Sequence, residues 1–169
     1  MLTTSIDRLS RRSAVRLTFA ITGAVVLGQP FGVLAAPPKD RVTVWKTPNC
    51  GCCKEWVSHL RSNGFDVVTH DVNDTAPTRQ KLGLAEKFGS CHTGLLGTYV
   101  LEGHVPAREM RRLLREKPQA LGLAVPGMPT GSPGMEMGTT RDAYDVLLIL
   151  KDGNARVYQS YAQKPSSHS

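Results

Sequence analysis

The chain has 169 residues and a formal net charge of +7. Four basic residues and one acidic residue lie in the first 35 positions, which leaves residues 36–169 with a net charge of about +4. No basic stripe with interleaved aromatic residues is present, so the sequence argues against a nucleic-acid-binding protein. Residues 36–169 are enough for one domain with a core of its own.

The first 35 residues have the pattern of a cleaved export signal. A start with four arginines precedes Leu17–Leu34, a run without charged residues that contains glycines and a proline. We expect cleavage after Ala35, among small residues, because a cut one residue later would leave Pro37 directly behind it. An uncleaved membrane anchor is the alternative, but a spanning helix needs about 20 apolar residues. Ser10-Arg11-Arg12 also resembles a twin-arginine signal, so Sec and twin-arginine export both stay open, and either places residues 36–169 in the periplasm.

Hydrophobic patterning in residues 36–169 predicts strands and helices. Residues 41–46 are rich in β-branched and aromatic side chains, and apolar residues from Cys53 to Leu60 recur at helical spacing. The predicted elements are, in chain order, a strand at 41–46, a helix over 50–63, a strand at 65–72, a short helix from Asp74 or Thr75 to near Gly83, a strand at 97–102, a helix over 106–117, and a C-terminal β-hairpin of strands at 144–150 and 155–161.

The order of these elements predicts that the cysteines lie at one edge of a sheet. Strand and helix alternate at first, which favours an α/β fold with a parallel sheet and right-handed crossovers. Cys50 to Cys53 then begin the first helix, where free amides and the helix dipole stabilise thiolate over thiol. Cys91-His92 is predicted in a loop at the same edge.

Residues 118–143 are predicted to be a long connection without periodicity. Its part Pro126–Gly138, here termed the Met loop, contains three prolines, four glycines and three methionines. An ordered loop of this length in a compact domain usually has a functional reason.

Three of the four cysteines lie in Cys50-Gly51-Cys52-Cys53. An even cysteine count in an exported protein usually indicates structural disulfides, but bridges within so tight a cluster close almost no loop and stabilise little. Cys50 and Cys53 also form a C-x-x-C pair, as in thioredoxin-like oxidoreductases. The third thiol, Cys52, invites wrong pairing in a disulfide exchanger, whereas a soft metal gains a ligand from it. The cluster therefore favours a metal site.

The methionines of the Met loop favour copper over zinc. Met128, Met135 and Met137 lie in a Gly/Pro-rich loop rather than at the core positions where methionine is usual. A thioether suits Cu(I), while zinc prefers thiolate, imidazole and carboxylate. An apolar loop that packs over the sheet edge is the alternative explanation for any one of them.

Further candidate ligands lie outside the cluster. Cys91 is either a fourth thiolate or an inert buried cysteine. His104 either completes the site or caps the helix over 106–117, and His92 either binds metal or bonds the backbone. Side chains predicted to be structural or solvent-exposed are those of His59, His70 and His168. The arginines of the 106–117 helix form either a solvated face or a site for an acidic partner, and they are Arg108, Arg111, Arg112 and Arg115.

Four segments carry distinctive motifs, in the order Thr47–Trp56, Ser90–Thr93, Glu102–Ala107 and Gly122–Glu136. Together they resemble the CopG-like family of periplasmic copper-resistance proteins, over about residues 41–161. The resemblance implies a thioredoxin-like sheet with flanking helices, in which copper is bound by the C-x-C-C cysteines with help from downstream residues. The ligands implied by the resemblance are Cys50, Cys52, Cys53, Cys91, His104, Met128 and Met135. Met137 lies outside the shared Gly-Met-Glu segment.

The sequence therefore predicts a periplasmic copper-binding protein for copper tolerance. It would hold Cu(I) under the Met loop, either as a single ion or as a thiolate-bridged cluster. Expected partners are copper ions and other periplasmic copper-handling proteins, with neither nucleic acid nor a membrane span after cleavage. The alternative is an enzyme, a thiol–disulfide or copper oxidoreductase that uses Cys50 and Cys53. A chaperone that hands copper to a partner is a third hypothesis.

Overall fold

The computed structural model describes residues 40–163, so the predicted export signal and His168 lie outside the described residues. Within this range no helix has both the length and the apolar character needed to cross a membrane. The chain forms an α/β fold, as predicted, with flanking helices, the Met loop and a C-terminal hairpin. The elements are β1 (Arg41–Lys46), α1 (Gly51–Ser62), β2 (Asp66–Asp71), α2 (Ala76–Lys81), a 3-10 turn (Glu86–Phe88), β3 (His92–Leu96), β4 (Tyr99–Glu102), α3 (Ala107–Glu116), β5 (Gly122–Ala124), β6 (Tyr144–Ile149) and β7 (Ala155–Tyr161).

The seven strands form one mixed sheet in the order β2-β1-β3-β4-β5-β6-β7. β1 and β2 are parallel, as expected for strands joined through α1, and so are β4 and β5. The prediction of a parallel sheet is nevertheless wrong, because β3 runs antiparallel to both β1 and β4. β3 and β4 are separated only by Gly97-Thr98, and a connection of two residues can join only antiparallel strands. Cys91-His92 is accordingly not all loop, since His92 begins β3.

The register of the central strands gathers three chain segments at one edge of the sheet. Lys46 at the end of β1 pairs with His92 at the start of β3, and Thr93 pairs with Glu102 at the end of β4. The segment after β1, the segment before β3 and the segment after β4 therefore meet. These segments carry Cys50 to Cys53, Cys91 and His104, respectively.

Hydrophobic residues cover both faces of the sheet. Neighbouring residues on a strand point to opposite faces, and Leu101 packs with Trp56 of α1 and Met110 of α3, while Val100 packs with Phe88 on the other side. The buried face of α1 comprises Cys53, Trp56, Val57 and Leu60, as predicted. Packing of α1 and α3 against the central strands thus fixes the elements that border the cysteines.

Candidate metal centre

The first turn of α1 presents three cysteines just beyond β1. Cys50 is the N-cap residue, with extended backbone, and its Sγ accepts a hydrogen bond of 3.2 Å from the Cys53 N–H. Sulfur here takes the role that a serine or aspartate oxygen has at most helix starts. The first amides of a helix lack intrahelical partners, and the dipole is positive at this end, so negative charge on the sulfurs is stabilised.

Four sulfur atoms lie in one cluster. Cys50 and Cys53 are joined by a disulfide, Cys52 Sγ lies 3.5 Å from Cys50 Sγ, and Cys91 Sγ lies 3.9 Å from Cys52 Sγ. The four ligand atoms all lie within 4.8 Å of one another. Because the disulfide joins residues only three apart in sequence, it constrains little of the unfolded chain and is a poor structural cross-link.

Cys91 connects this cluster to two buried histidines. Its Sγ lies 3.2 Å from His104 Nε2 and 3.3 Å from His92 Nδ1, and these three residues form a second group of possible metal ligands. Burial, and then the nearby Cys52, raise the pKa of the Cys91 thiol to about 12. The thiol is therefore protonated at neutral pH, and a metal ion must displace that proton to bind the sulfur.

His104 is oriented as a metal ligand would be. It is fully buried, and its Nδ1 lies 2.8 Å from the Pro133 carbonyl oxygen. An Nδ1–H donated to that carbonyl leaves the lone pair of Nε2 directed toward Cys91 Sγ. Burial lowers the pKa of His104, which favours this neutral form. His104 does not cap α3, whose N-cap residue is Pro106.

His92 is buried against the indole of Trp56, with ring centroids 4.2 Å apart. Burial, and then His104, lower the pKa of His92 to about 3, so that its imidazole is neutral. Within residues 40–163, His92 Nε2 is the single buried side-chain nitrogen or oxygen without a hydrogen-bond partner. Such an atom costs about 1–3 kcal/mol, which marks the position as one to explain. The sequence left open whether His92 lies at the site, and the structure places its ring beside Cys91.

The Met loop lies against the cluster through its backbone. The Pro133 carbonyl meets His104, and Gly134 approaches α1 so closely that a Cβ there would be 2.8 Å from the Cys52 carbonyl oxygen. At the start of the loop, the Ser90 hydroxyl donates to the Gly127 carbonyl. The loop thus contacts the chain on both sides of the sulfur atoms.

The three loop methionines differ in exposure. Met135 is half-buried and directly follows Gly134, whose backbone lies against α1. Met128 and Met137 are 54% and 69% exposed. Of these three side chains Met135 is therefore the least exposed, and the Met128 side chain faces solvent.

His59, His70 and arginines of α3 pack against their own chain. His59 Nε2 accepts a hydrogen bond from the Ala107 N–H at the start of α3, and His70 stacks on Trp45. Arg111 lies over the ring of Phe65. Arg112 likewise lies over Tyr158, and Arg108 forms an ion pair of 3.6 Å with Glu109, so three of the four α3 arginines have partners within the protein.

Sequence reasoning missed a buried ion pair behind Cys91. Arg79 Nε donates to Glu102 Oε1 at 2.9 Å, and both side chains are buried. Glu102 ends a strand of otherwise apolar character, Tyr-Val-Leu-Glu. A carboxylate at the end of such a strand was the one feature of the sequence that could have indicated the ion pair.

Comparisons with known proteins identify relatives of this chain. A family model described as a protein of unknown function, DUF411, matches residues 88–135. A solved structure named copper resistance protein CopG, form 2, is 44% identical, with a TM-score of 0.70, over 73% of this chain and 99% of its own. A structure of form 1 is 45% identical, with a TM-score of 0.70, over 74% of this chain and 99% of its own. No curated protein matches the chain. The similarity therefore extends over nearly the whole of both solved chains.

Proposed function

Because the chain belongs to the CopG family of copper-resistance proteins, we propose that it binds copper as Cu(I) in the periplasm and thereby serves copper tolerance. The observation that carries this proposal is the cluster of four sulfurs, from Cys50, Cys52, Cys53 and Cys91, whose atoms lie within 4.8 Å of one another. Chemistry of the donors supports the choice of metal, since several thiolates in one place form a site for a soft ion.

Thiolate, thioether and neutral imidazole together fit Cu(I) better than zinc, for which a thioether is an unusual ligand. The imidazole is that of His104, whose Nε2 lies 3.2 Å from Cys91 Sγ. Met128 would bind only after its exposed side chain turns toward the cluster. The proposed ligands are Cys50, Cys52, Cys53, Cys91, His104, Met128 and Met135.

Cys91 supports a site for more than one copper ion. Its sulfur belongs both to the four-cysteine group and to the group with His92 and His104. A thiolate sulfur has several lone pairs and can therefore bridge two ions. In this arrangement one ion would contact mainly the cysteines, and the next would contact Cys91 and imidazole.

Copper binding by all four cysteines requires the reduced protein. The disulfide between Cys50 and Cys53 holds two of the sulfurs in a form that is not thiolate. Its reduction takes two electrons and two protons from a dithiol reductant, which is itself oxidised to a disulfide. Each thiol then releases its proton when it binds the metal.

The same disulfide favours a second candidate function, that of a thiol–disulfide or copper oxidoreductase. Cys52 Sγ lies 3.5 Å from Cys50 Sγ, a distance from which a thiolate can attack the disulfide. Attack by Cys52 on Cys50 would form a Cys50–Cys52 bond and release Cys53 as thiolate. The two functions differ in turnover, because a storage or transfer protein need not cycle.

Anaerobic titration of the reduced protein with Cu(I), in competition with a chromophoric chelator, tests the proposal. We expect tight binding that is strongly weakened in Cys52→Ser and unchanged in Met137→Leu, which alters an exposed sulfur of the Met loop. Failure of the wild-type protein to bind tightly, or unchanged binding in Cys52→Ser, would refute it. Multiple turnovers in insulin-reduction or copper-reduction assays, abolished by Cys53→Ser, would instead support the enzyme.

Export is the second part of the proposal. We propose that residues 1–35 are a signal peptide, removed on export by the Sec or twin-arginine route, and that residues 36–169 are one domain. Periplasmic fractionation and N-terminal sequencing of the recovered protein test this. We expect a chain that starts at Ala36, whereas an intact N-terminus in the cytoplasmic fraction would contradict it.

A further inference from the structure

A buried ion pair lies behind the segment that presents Cys91. Arg79 of α2 is 3% exposed and Glu102 of β4 is fully buried. Two charges removed from water lose their hydration, and an apolar pair of similar volume is often at least as stable. Stability of the fold is therefore a weak reason for this pair.

Glu102 makes its other hydrogen bonds to residues on both sides of Cys91. Its Oε1 accepts from the Ser90 backbone N–H at 2.7 Å, and its Oε2 accepts from the Thr93 hydroxyl at 2.7 Å. One rigid carboxylate thus brackets Cys91 from the residue before it to the second residue after it.

Arg79, the other member of the ion pair, binds the same segment. Its Nη2 donates to the Ser90 carbonyl at 3.0 Å, so both the N–H and the C=O of Ser90 are bound by the ion pair. The guanidinium is itself fixed, because its Nη1 donates to both carboxylate oxygens of Glu86 at 2.8 Å. Gly89 makes room for it, since a Cβ there would lie 3.0 Å from Arg79 Cζ.

The pair is also connected to His104. Glu102 is followed by Gly103, whose N–H donates to the His92 carbonyl at 3.0 Å. A Cβ on Gly103 would lie 2.4 Å from the Val125 carbonyl oxygen, so this residue is tightly enclosed. The backbone from Glu102 to His104 is therefore held against the segment that carries Cys91 and His92.

We propose that Arg79 and Glu102 are positioning residues of the copper site, which hold Cys91 Sγ where it contacts Cys52, His92 and His104 at once. The proposal rests on the proposed copper function. Both residues act through Ser90 and Thr93, and copper affinity is set partly by the geometry that they impose on Cys91.

The test compares variants in which the buried charge is removed in different ways. Loss of one partner alone leaves the other charge unpaired, so the main variant is the double substitution Arg79→Met/Glu102→Leu. Glu102→Gln keeps the side-chain shape but only one acceptor oxygen, and it serves if the double variant does not fold. The control is Glu109→Gln, which alters a buried glutamate of α3 whose side-chain polar partners among the described residues are Tyr161, by a 2.7 Å hydrogen bond, and Arg108, neither of them a proposed ligand.

Two measurements separate positioning from general destabilisation. In the reduced, metal-free protein, the ring-nitrogen NMR signals of His92 and His104 report their contact with Cys91, and we expect them to shift in the double variant but not in Glu109→Gln. Chelator competition should show Cu(I) binding at least tenfold weaker in the double variant, with an altered copper X-ray absorption spectrum, and wild-type values in the control.

The positioning role would be overturned if the folded double variant kept the wild-type histidine signals, Cu(I) affinity and absorption spectrum. If the double variant does not fold, the same result in folded Glu102→Gln would overturn it. An equal loss in Glu109→Gln would overturn it too, because the effect would then follow from stability. If the wild-type protein itself fails to bind Cu(I), the copper function falls, and the histidine signals of the metal-free variants still decide whether the pair positions Cys91.

Discussion

Substitution of Gly134 by alanine tests how the Met loop supports the copper site. Gly134 has a φ of +84°. An added Cβ would lie 2.6 Å from the Trp56 amide nitrogen and 2.8 Å from the Cys52 carbonyl oxygen. Both are backbone atoms of α1, so no side-chain rotation relieves the contact. The loop must instead move away from the helix, and Pro133 must move with it.

Two energetic contributions can be separated. Positive φ costs an alanine about 1–2 kcal/mol wherever it occurs. Displacement of the loop also removes the 2.8 Å hydrogen bond between His104 Nδ1 and the Pro133 carbonyl, and a hydrogen bond of this kind contributes about 1 kcal/mol. Gly138 has a φ of +65°, and within residues 40–163 an added Cβ would have no atom within 4 Å beyond those of its chain neighbours. Gly138→Ala therefore carries the first cost without the second.

We expect Gly134→Ala to bind Cu(I) about fivefold more weakly than Gly138→Ala, since about 1 kcal/mol corresponds to that factor. His104 would no longer be oriented in advance, and copper binding would have to restore its position. Chelator competition on the two reduced variants measures the difference, and thermal unfolding shows whether their stabilities match. Equal Cu(I) affinities would refute the reasoning.

Three further predictions concern side chains around the site. Burial lowers the pKa of His59 from 6.5, so its contribution to stability is complete above pH 6.5 and is lost as the pH falls toward the folded-state pKa. Urea unfolding of the metal-free protein at pH 7 and pH 5 measures the free energy of unfolding at each pH. The decrease from pH 7 to pH 5 should be smaller in His59→Gln than in wild type or in the exposed control His70→Gln, and equal decreases would contradict this. Met135→Leu keeps the volume of a half-buried residue of the Met loop but removes the proposed thioether ligand. We expect about tenfold weaker Cu(I) binding, and an affinity equal to that of Met137→Leu would argue against Met135 as a ligand. Trp56→Phe leaves the Val105 carbonyl without the 2.9 Å hydrogen bond from the indole N–H, which should lower the free energy of unfolding by about 1–3 kcal/mol; a loss no larger than that in the more exposed Trp45→Phe would contradict it.

Elements with a clear hydrophobic period were predictable from the sequence. β1 occupies the predicted residues 41–46, and α1 lies one residue inside its predicted range at each end. The C-terminal hairpin was also predicted, and Gly153 in its turn has a φ of +82°. In β1 and α1 one side of the element is more buried than the other, so the local pattern of residue types carries the information.

β3 and β5 were not predicted, because their glycines indicate loops in the sequence and close strand contacts in the structure. A Cβ on Gly94 of β3 would lie 3.4 Å from Leu101 Cβ, and one on Gly122 of β5 would lie 1.8 Å from the Val100 carbonyl oxygen. Glycine at these positions permits neighbouring strands to approach. Such contacts depend on tertiary pairing and leave no periodic signal in five or three residues.

The candidate site was predictable in part. Spacing and residue type pointed to the cysteine cluster, and the expected sheet edge placed Cys91 near it. Arg79 and Glu102 could not be found in this way, because they are 23 residues apart and each belongs to an ordinary local context. Their role depends on a register, Thr93 opposite Glu102, that only the folded sheet defines.

The position of the site within the sheet has a consequence for rates of metal exchange. Cys91 and His104 adjoin β3 and β4, which have hydrogen-bonded strands on both sides. Amides of such interior strands generally open to solvent only in large unfolding events, whereas irregular loops open locally and at lower free energy. The Met loop, which belongs to no strand of the sheet, should therefore show fast hydrogen–deuterium exchange next to strands that exchange slowly. Copper could then enter and leave at the rate of local loop opening while the ligands on the sheet keep their arrangement.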